Sequence, residues 1–191
     1  MSKLIWPPGN MLYPLPVVMV SCGDNPSSYN IITISWTGTI CTEPAMVSVS
    51  IRPERHSYNI IKKNKCFVIN LVNEDLSFAA DWCGVKSGKD HDKFKLQRLT
   101  PKKASKIKAP IIAESPVNIE CQLEQILPLG SHDLFLAKIV AVQVSEKYLD
   151  SNNKFHLDKT NPICYSHGFY YSLAKEIGHF GFSVKKSKKN N

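Results

Sequence analysis

The chain has 191 residues, 43% of them hydrophobic and 21% charged, which fits one globular domain and excludes disordered and collagen-like classes. Its formal net charge is +8, and the excess is local. Lys102, Lys103, Lys106 and Lys108 form one cluster, Lys185, Lys186, Lys188 and Lys189 another, and neither stretch contains an acid. With these lysines set aside, the remaining basic residues equal the 16 acidic ones. The clusters therefore read as a solvated surface excursion and a basic flexible tail (185–191) rather than a nucleic-acid footprint.

In chain order, Trp6, Pro7, Pro8 and Gly9 interrupt any apolar run of the kind a signal peptide needs. Nothing approaches the roughly 18 apolar residues of a membrane span. The valine-rich segment from Tyr13 to Cys22 predicts a strand, ended by the turn residues Gly23, Asp24, Asn25 and Pro26. Asn30 to Trp36 is β-branched, with Ile32, Ile34 and Trp36 on one face and Ile31, Thr33 and Ser35 on the other. Met46 to Arg52 alternates Val47, Val49 and Ile51 against Ser48, Ser50 and Arg52. Helical spacing follows Pro53, over Glu54 to Lys63, and recurs from Asp75 to Trp82, on either side of a short apolar strand from Cys66 to Val72. Val117 to Glu124 alternates again. A turn at Pro128 and Gly130 leads to Asp133–Ser145, which is apolar on nearly both faces and so reads as a central strand. Short helical turns are expected near Tyr170–Glu176. Six strands with few helices predict a mainly β fold, a closed antiparallel barrel or sandwich with peripheral helices, in one domain over 1–184.

Several chemistries lack their signatures. There is no G-x-x-x-x-G-K-[ST], no G-x-G-x-x-G and no glycine-flanked serine elbow. Cys164 and His167 stand three apart without the second pair that a zinc site requires. The six cysteines are scattered, with no C-x-x-C, and read as reduced thiols in a cytoplasmic protein.

Five segments in order carry a resemblance: NIITISW at 30–36, VSVSIRPERHSYNII at 47–61, CGVKSGKDHDKF at 83–94, GSHDLFLAKIVAV at 130–142 and GHFGFSV at 178–184. Together the chain resembles the flavin reductase-like family, and within it the flavoredoxins, from about Leu12 to Val184. The resemblance implies an FMN-binding split β-barrel, a homodimer with FMN near the subunit interface, and an oxidoreductase drawing electrons from NAD(P)H or a reduced redox protein. A non-catalytic, flavoredoxin-like electron carrier is the alternative, and a lysine-dominated nucleic-acid module is a third.

The residues are compatible with such a site. Without a glycine fingerprint, a phosphate needs cations, hydroxyls and free amides. Arg52 offers a fork and Ser57 a hydroxyl near a helix start, while Ser87, Lys89 and Lys93 form a second set on a glycine-containing loop. Where relatives carry arginine, Lys89 keeps the charge and loses the planar fork. Asn30, Thr33, Ser35, Ser50 and Ile51 lie on the strands expected to meet a flavin edge, with Trp36 covering an apolar part. Cys83 opens the loop and could approach the ring, although a small buried hydrophobe is the default for it and for Cys41. His132 is the candidate catalytic residue, orienting a nicotinamide or polarising a carbonyl. No metal is expected.

Overall fold

The computed structural model describes residues 1–184, so the predicted basic tail lies outside the described residues. The strands are β1 (Leu15–Pro16), β2 (Val18–Cys22), β3 (Asn30–Ile34), β4 (Thr37–Thr42), β5 (Ala45–Ile51), β6 (Cys66–Leu71), β7 (Pro101–Lys103), β8 (Pro110–Ile112), β9 (Val117–Pro128), β10 (Asp133–Val144), β11 (Ile163–Ser166) and β12 (Phe169–Ser172). The helices are α1 (His56–Asn64), α2 (Ser77–Val85) and α3 (Lys93–Leu96).

Seven strands form one antiparallel sheet in the order β3-β2-β6-β9-β10-β5-β4. Its two edge strands, β3 and β4, are consecutive in the chain and joined only through Ser35 and Trp36. The backbone N–H of Ser50 donates to the Trp36 carbonyl at 2.9 Å, which draws the step between edges against β5. The sheet therefore curls on itself without closing, as a split barrel. Alternation explains its interior: Val18, Val20, Ile32, Ile34, Val49, Ile51, Phe67 and Phe135 meet in one buried cluster. Tyr58 and Ile61 of α1 join them. The opposite face of β2 and β3 is apolar too, because Met19 and Ile31 are covered by Ala79, Ala80 and Cys83 of α2 and by Phe94 of α3. The doubly apolar β10 lies between β9 and β5, the central position its sequence implied.

Two segments differ from expectation. Phe169–Ser172 is a strand, not part of a helical turn, because it pairs with β11 across a two-residue turn. Both turn residues, His167 at φ 47° and Gly168 at φ 89°, take the left-handed conformation that matches hairpin twist. The lysine-rich excursion is anchored rather than loose. β7 and β8 pair with each other, and Ala104, Ala109 and Ile111 pack against Cys66 and Val68, while its lysines remain outside.

Candidate functional site

The end of β3, the start of α1 and the loop after α2 converge on a groove with two adjoining chambers. The first, of about 210 Å3, takes Asn30 from β3, Arg55, His56 and Ser57 from the start of α1, and Cys83, Lys86, Ser87, Gly88 and Lys93 from α2 and its loop. The second, of about 330 Å3, is walled by Trp36, His132, Tyr165 and Tyr170 and edged by Thr33, Ser35, Ser50 and Arg52. Ile32, Arg55 and Gly84 border both, so the two chambers adjoin across these residues.

The first chamber is cationic. Arg55, Lys86 and Lys93 face it with only Glu54 opposing them. Arg55 is the N-cap of α1 and no side chain caps that helix, so first-turn amides remain for an outside acceptor. The buried Asn30 amide donates to Ser57 Oγ at 2.8 Å. Lys93 is buried, and its Nζ donates to the carbonyls of Ile31 and Cys83, both at 2.7 Å. Burial holds its pKa below the usual lysine value, and two bonds leave one ammonium hydrogen uncommitted. A Cβ on Gly88 would lie 1.9 Å from Asn30 Oδ1; glycine is what lets this loop close over the chamber. Burial pushes the Cys83 thiol up to about 11 against the opposing charge of Lys93, so it stays protonated and inert at neutral pH.

The second chamber is aromatic. The rings of Trp36 and His132 lie 4.5 Å apart at 40°, and those of Tyr165 and Tyr170 are 5.6 Å apart. Burial lowers the His132 pKa, and the charges of Arg52 and Arg55 push it the same way against Glu54. Its imidazole is therefore neutral at pH 7, with Nδ1 3.0 Å from Ser131 Oγ. Tyr170 donates to Asp81 at 3.0 Å; burial first, and then that carboxylate, raise it to about 12. Tyr58 donates to the buried Asp133 at 2.6 Å, fastening the start of α1 to the hairpin that carries His132.

The structure brings together most residues singled out from sequence. Asn30, Ser57, Cys83, Ser87 and Lys93 line the first chamber; Thr33, Ser35, Trp36, Ser50, Arg52 and His132 line the second. Thr33 spends its hydroxyl proton on the Ala80 carbonyl. Three placements correct the sequence reading. Ile51 points into the barrel interior, as its place in the alternation requires, and lines neither chamber. Lys89 is exposed on the loop and does not line the first chamber, whereas Lys86 does. Arg52 borders the ring-lined chamber and pairs with Glu54 at 3.4 Å, while Arg55, which the sequence reading did not single out, stands between the two chambers. Arg55 had no separate signal, because the helical spacing read from Glu54 placed it inside the helix rather than at its start. Tyr165 and Tyr170 had none while their hairpin went unread.

The groove of this split barrel thus sets a cation-lined chamber beside an aromatic-walled one. The family model described as "Flavin reductase like domain" matches residues 10–174, and the chain belongs to that family. An uncharacterized protein of Pyrococcus abyssi (strain GE5 / Orsay) is 30% identical over 149 residues, 76% of this chain and 85% of that protein. An NADPH-flavin oxidoreductase of Streptomyces viridifaciens is 24% identical over 129 residues, 66% of this chain and 65% of its own. Among solved structures, the flavoredoxin of Desulfovibrio vulgaris (Miyazaki F) superposes with a TM-score of 0.88 at 28% identity, covering 97% of this chain and all of that one.

Proposed function

We propose that the groove binds FMN, with the phosphate in the cationic chamber and the ring system in the aromatic one, and that the protein is an FMN-dependent oxidoreductase. The observation that carries this reading is the adjacency: a chamber lined by cations and free helix amides adjoins, across Arg55 and Gly84, one walled by aromatic side chains. The donor set fits the group. A phosphate of about −1.5 to −2 charge suits Arg55, Lys93, Lys86 and the start of α1, and Gly88 lets its loop pack directly on Asn30 beside them. Amide-like ring edges suit the hydroxyls of Ser35 and Ser50 and the guanidinium of Arg52.

Bound FMN would supply the exchange of electrons between a donor and an acceptor. The chain's own residues bind, orient and enclose. Lys93 ties β3 to the end of α2 and presents its remaining hydrogen to the phosphate. Trp36 and Tyr170 exclude water from the ring chamber. Neutral His132, held by Ser131 and packed on Trp36, orients a nicotinamide or polarises a carbonyl beside the ring. Electrons come from NAD(P)H or a reduced redox protein, and two copies of the cytoplasmic chain form the working unit. The similarity to a flavoredoxin over nearly the whole chain favours a second reading, an electron carrier between redox proteins without its own NAD(P)H activity.

Titration with FMN, followed by the flavin spectrum and by release of FMN on denaturation, tests the binding. A protein that stays colourless at saturating FMN refutes it. NADH and NADPH oxidation by the loaded protein then separates the readings: turnover supports the oxidoreductase, and its absence together with reduction by a low-potential redox protein supports the carrier.

A further inference from the structure

Two consecutive residues in the first turn of α1 tie it to strands that lie far apart in the curled sheet. Ser57 Oγ accepts from the Asn30 amide on the edge strand β3 at 2.8 Å. Tyr58 turns the other way and donates to Asp133 Oδ2, on the first residue of β10, at 2.6 Å. Strands β2, β6 and β9 stand between β3 and β10 in the sheet order. Among the described residues, these two are the only side-chain hydrogen bonds that join α1 to the rest of the fold.

The second bond is buried. Tyr58 and Asp133 are each 8% exposed, and the Tyr58 ring stands edge-on to Phe135 with centroids 5.1 Å apart. A carboxylate so buried needs a donor, and Tyr58 supplies one. The bond, and after it burial, raises the Tyr58 pKa, so the phenol keeps the proton it donates.

Asp133 and His132 are neighbours in the chain but serve opposite sides of it. Asp133 shares the inward face of β10 with Phe135 and Ala137, whereas His132 lines the ring chamber. Asp133 is in register with both Ile51 and Pro128, so it marks where the hairpin leaves the sheet. Beyond that point the imidazole is held by Ser131 of the same exposed turn, 3.0 Å from Nδ1, and by the exposed indole of Trp36.

We propose that Asp133 and Tyr58 are positioning residues for His132. The bond between them fixes the base of the hairpin at one offset from the start of α1, and so sets the imidazole over the ring chamber. What the imidazole meets there rests on the flavin reading; its placement does not.

Nuclear magnetic resonance of the full chain without flavin reads the placement. The His132 Hε1 signal is assigned by its loss in His132→Asn, and Trp36→Leu gives its position when the imidazole is free of the indole. Tyr58→Phe should move the signal to that free position. Asp133→Asn, whose side-chain oxygen still accepts from Tyr58, should keep it in place. Ile61→Val, which loosens the packing of α1 without touching the bond, should keep it as well. If Tyr58→Phe does not fold, Tyr58→Phe with Asp133→Leu leaves no orphaned carboxylate and should move the signal likewise. In the FMN-loaded protein, Tyr58→Phe should slow NAD(P)H oxidation roughly tenfold or more and add nothing to His132→Ala. If the loaded wild type does not oxidise NAD(P)H, the resonance alone decides. An unmoved signal in Tyr58→Phe overturns the proposal, as does one that moves equally in Ile61→Val or Asp133→Asn. Wild-type oxidation kinetics in Tyr58→Phe overturn it too. Failure of FMN to bind, with the signal pattern intact, overturns the flavin reading and leaves the placement of His132 standing.

Discussion

At the residue scale, the two arginines of Arg52-Pro53-Glu54-Arg55 separate by the chamber each borders. Arg55 reaches both chambers and stands at the uncapped start of α1, whereas Arg52 borders the aromatic one. Loss of a charge-assisted hydrogen bond costs about 1.5–3 kcal/mol, on the order of 10- to 150-fold in affinity. Arg55→Ala should therefore weaken FMN by that factor and leave riboflavin, which lacks the phosphate, nearly unaffected. Arg52→Ala should weaken both. The Arg52–Glu54 pair is exposed on both sides, so its removal should hardly move the melting temperature. Equal losses for FMN and riboflavin in Arg55→Ala would refute the placement of the phosphate. His132→Ala should leave FMN affinity intact and slow NAD(P)H oxidation; unchanged kinetics would remove the residue from any catalytic role. Residue pattern alone favours outward strand positions for Thr33 and Ser35 and a surface charge for Arg52; the family resemblance is what singles them out together with Ser57 and Lys93. Trp36 was harder to read: the alternation set it with Ile32 and Ile34, but the chain leaves β3 after Ile34, and the indole emerges into the groove at 37% exposure.

At the scale of elements, the six strands with strong alternation or β-branching all appear, since burial on one or both faces fixes their period. The strands that escaped notice carry no such imprint. β4 is threonine-rich at a sheet edge, with one face in water, and β12 exposes every residue. Their pairing is a tertiary fact rather than a local preference. The excursion of β7 and β8 shows the converse, a solvated-looking stretch held by apolar packing on β6 and by a buried carboxylate. Glu120, on the face of β9 that lies under the excursion, accepts from the backbone N–H groups of Ser105 and Lys106 and from Ser105 Oγ, each at 2.7 Å, and from Gln143 at 2.8 Å. Burial alone would raise its pKa; these bonds outweigh burial and hold it below the ordinary carboxylate value. A depressed folded-state pKa stabilises the fold above the unfolded value of about 4.3, and that contribution is lost as pH falls through the folded pKa. Hydrogen-exchange protection at 101–112, corrected for the intrinsic rate at each pH, should fall on acidification before protection in β9 and β10 does. Glu120→Gln should cost about 1.5–3 kcal/mol and flatten that pH dependence. Acid-insensitive protection in the wild-type segment would show that the carboxylate is not what anchors it.

At the scale of the whole molecule, several large apolar side chains near the chain's two ends and on the edge strands are exposed. Trp6 on the N-terminal segment, Ile40 on β4, Phe169 and Tyr171 on β12, and Ile177, Phe180 and Phe182 beyond it are all exposed. Large side chains gathered on neighbouring segments mark an association surface more often than a solvated one. The β12 pattern is the sharpest case. Tyr170 turns to the groove, while Phe169 and Tyr171, two residues apart on the other face, lie 6.5 Å ring to ring in solvent at 64% and 51% exposure. One strand thus walls the aromatic chamber and presents an aromatic pair to an unbound neighbour, so assembly and the groove share an element. If a second copy covers that pair, light scattering should give twice the 21.5 kDa mass of the chain. Phe169→Ser with Tyr171→Ser should shift the protein towards single chains at micromolar concentration while the barrel's circular dichroism is kept. FMN affinity should fall with assembly, because β12 loses the neighbour that holds Tyr170 against the groove. A wild-type protein that scatters as one chain, or a double variant that separates without any change in FMN affinity, would break the link between assembly and cofactor.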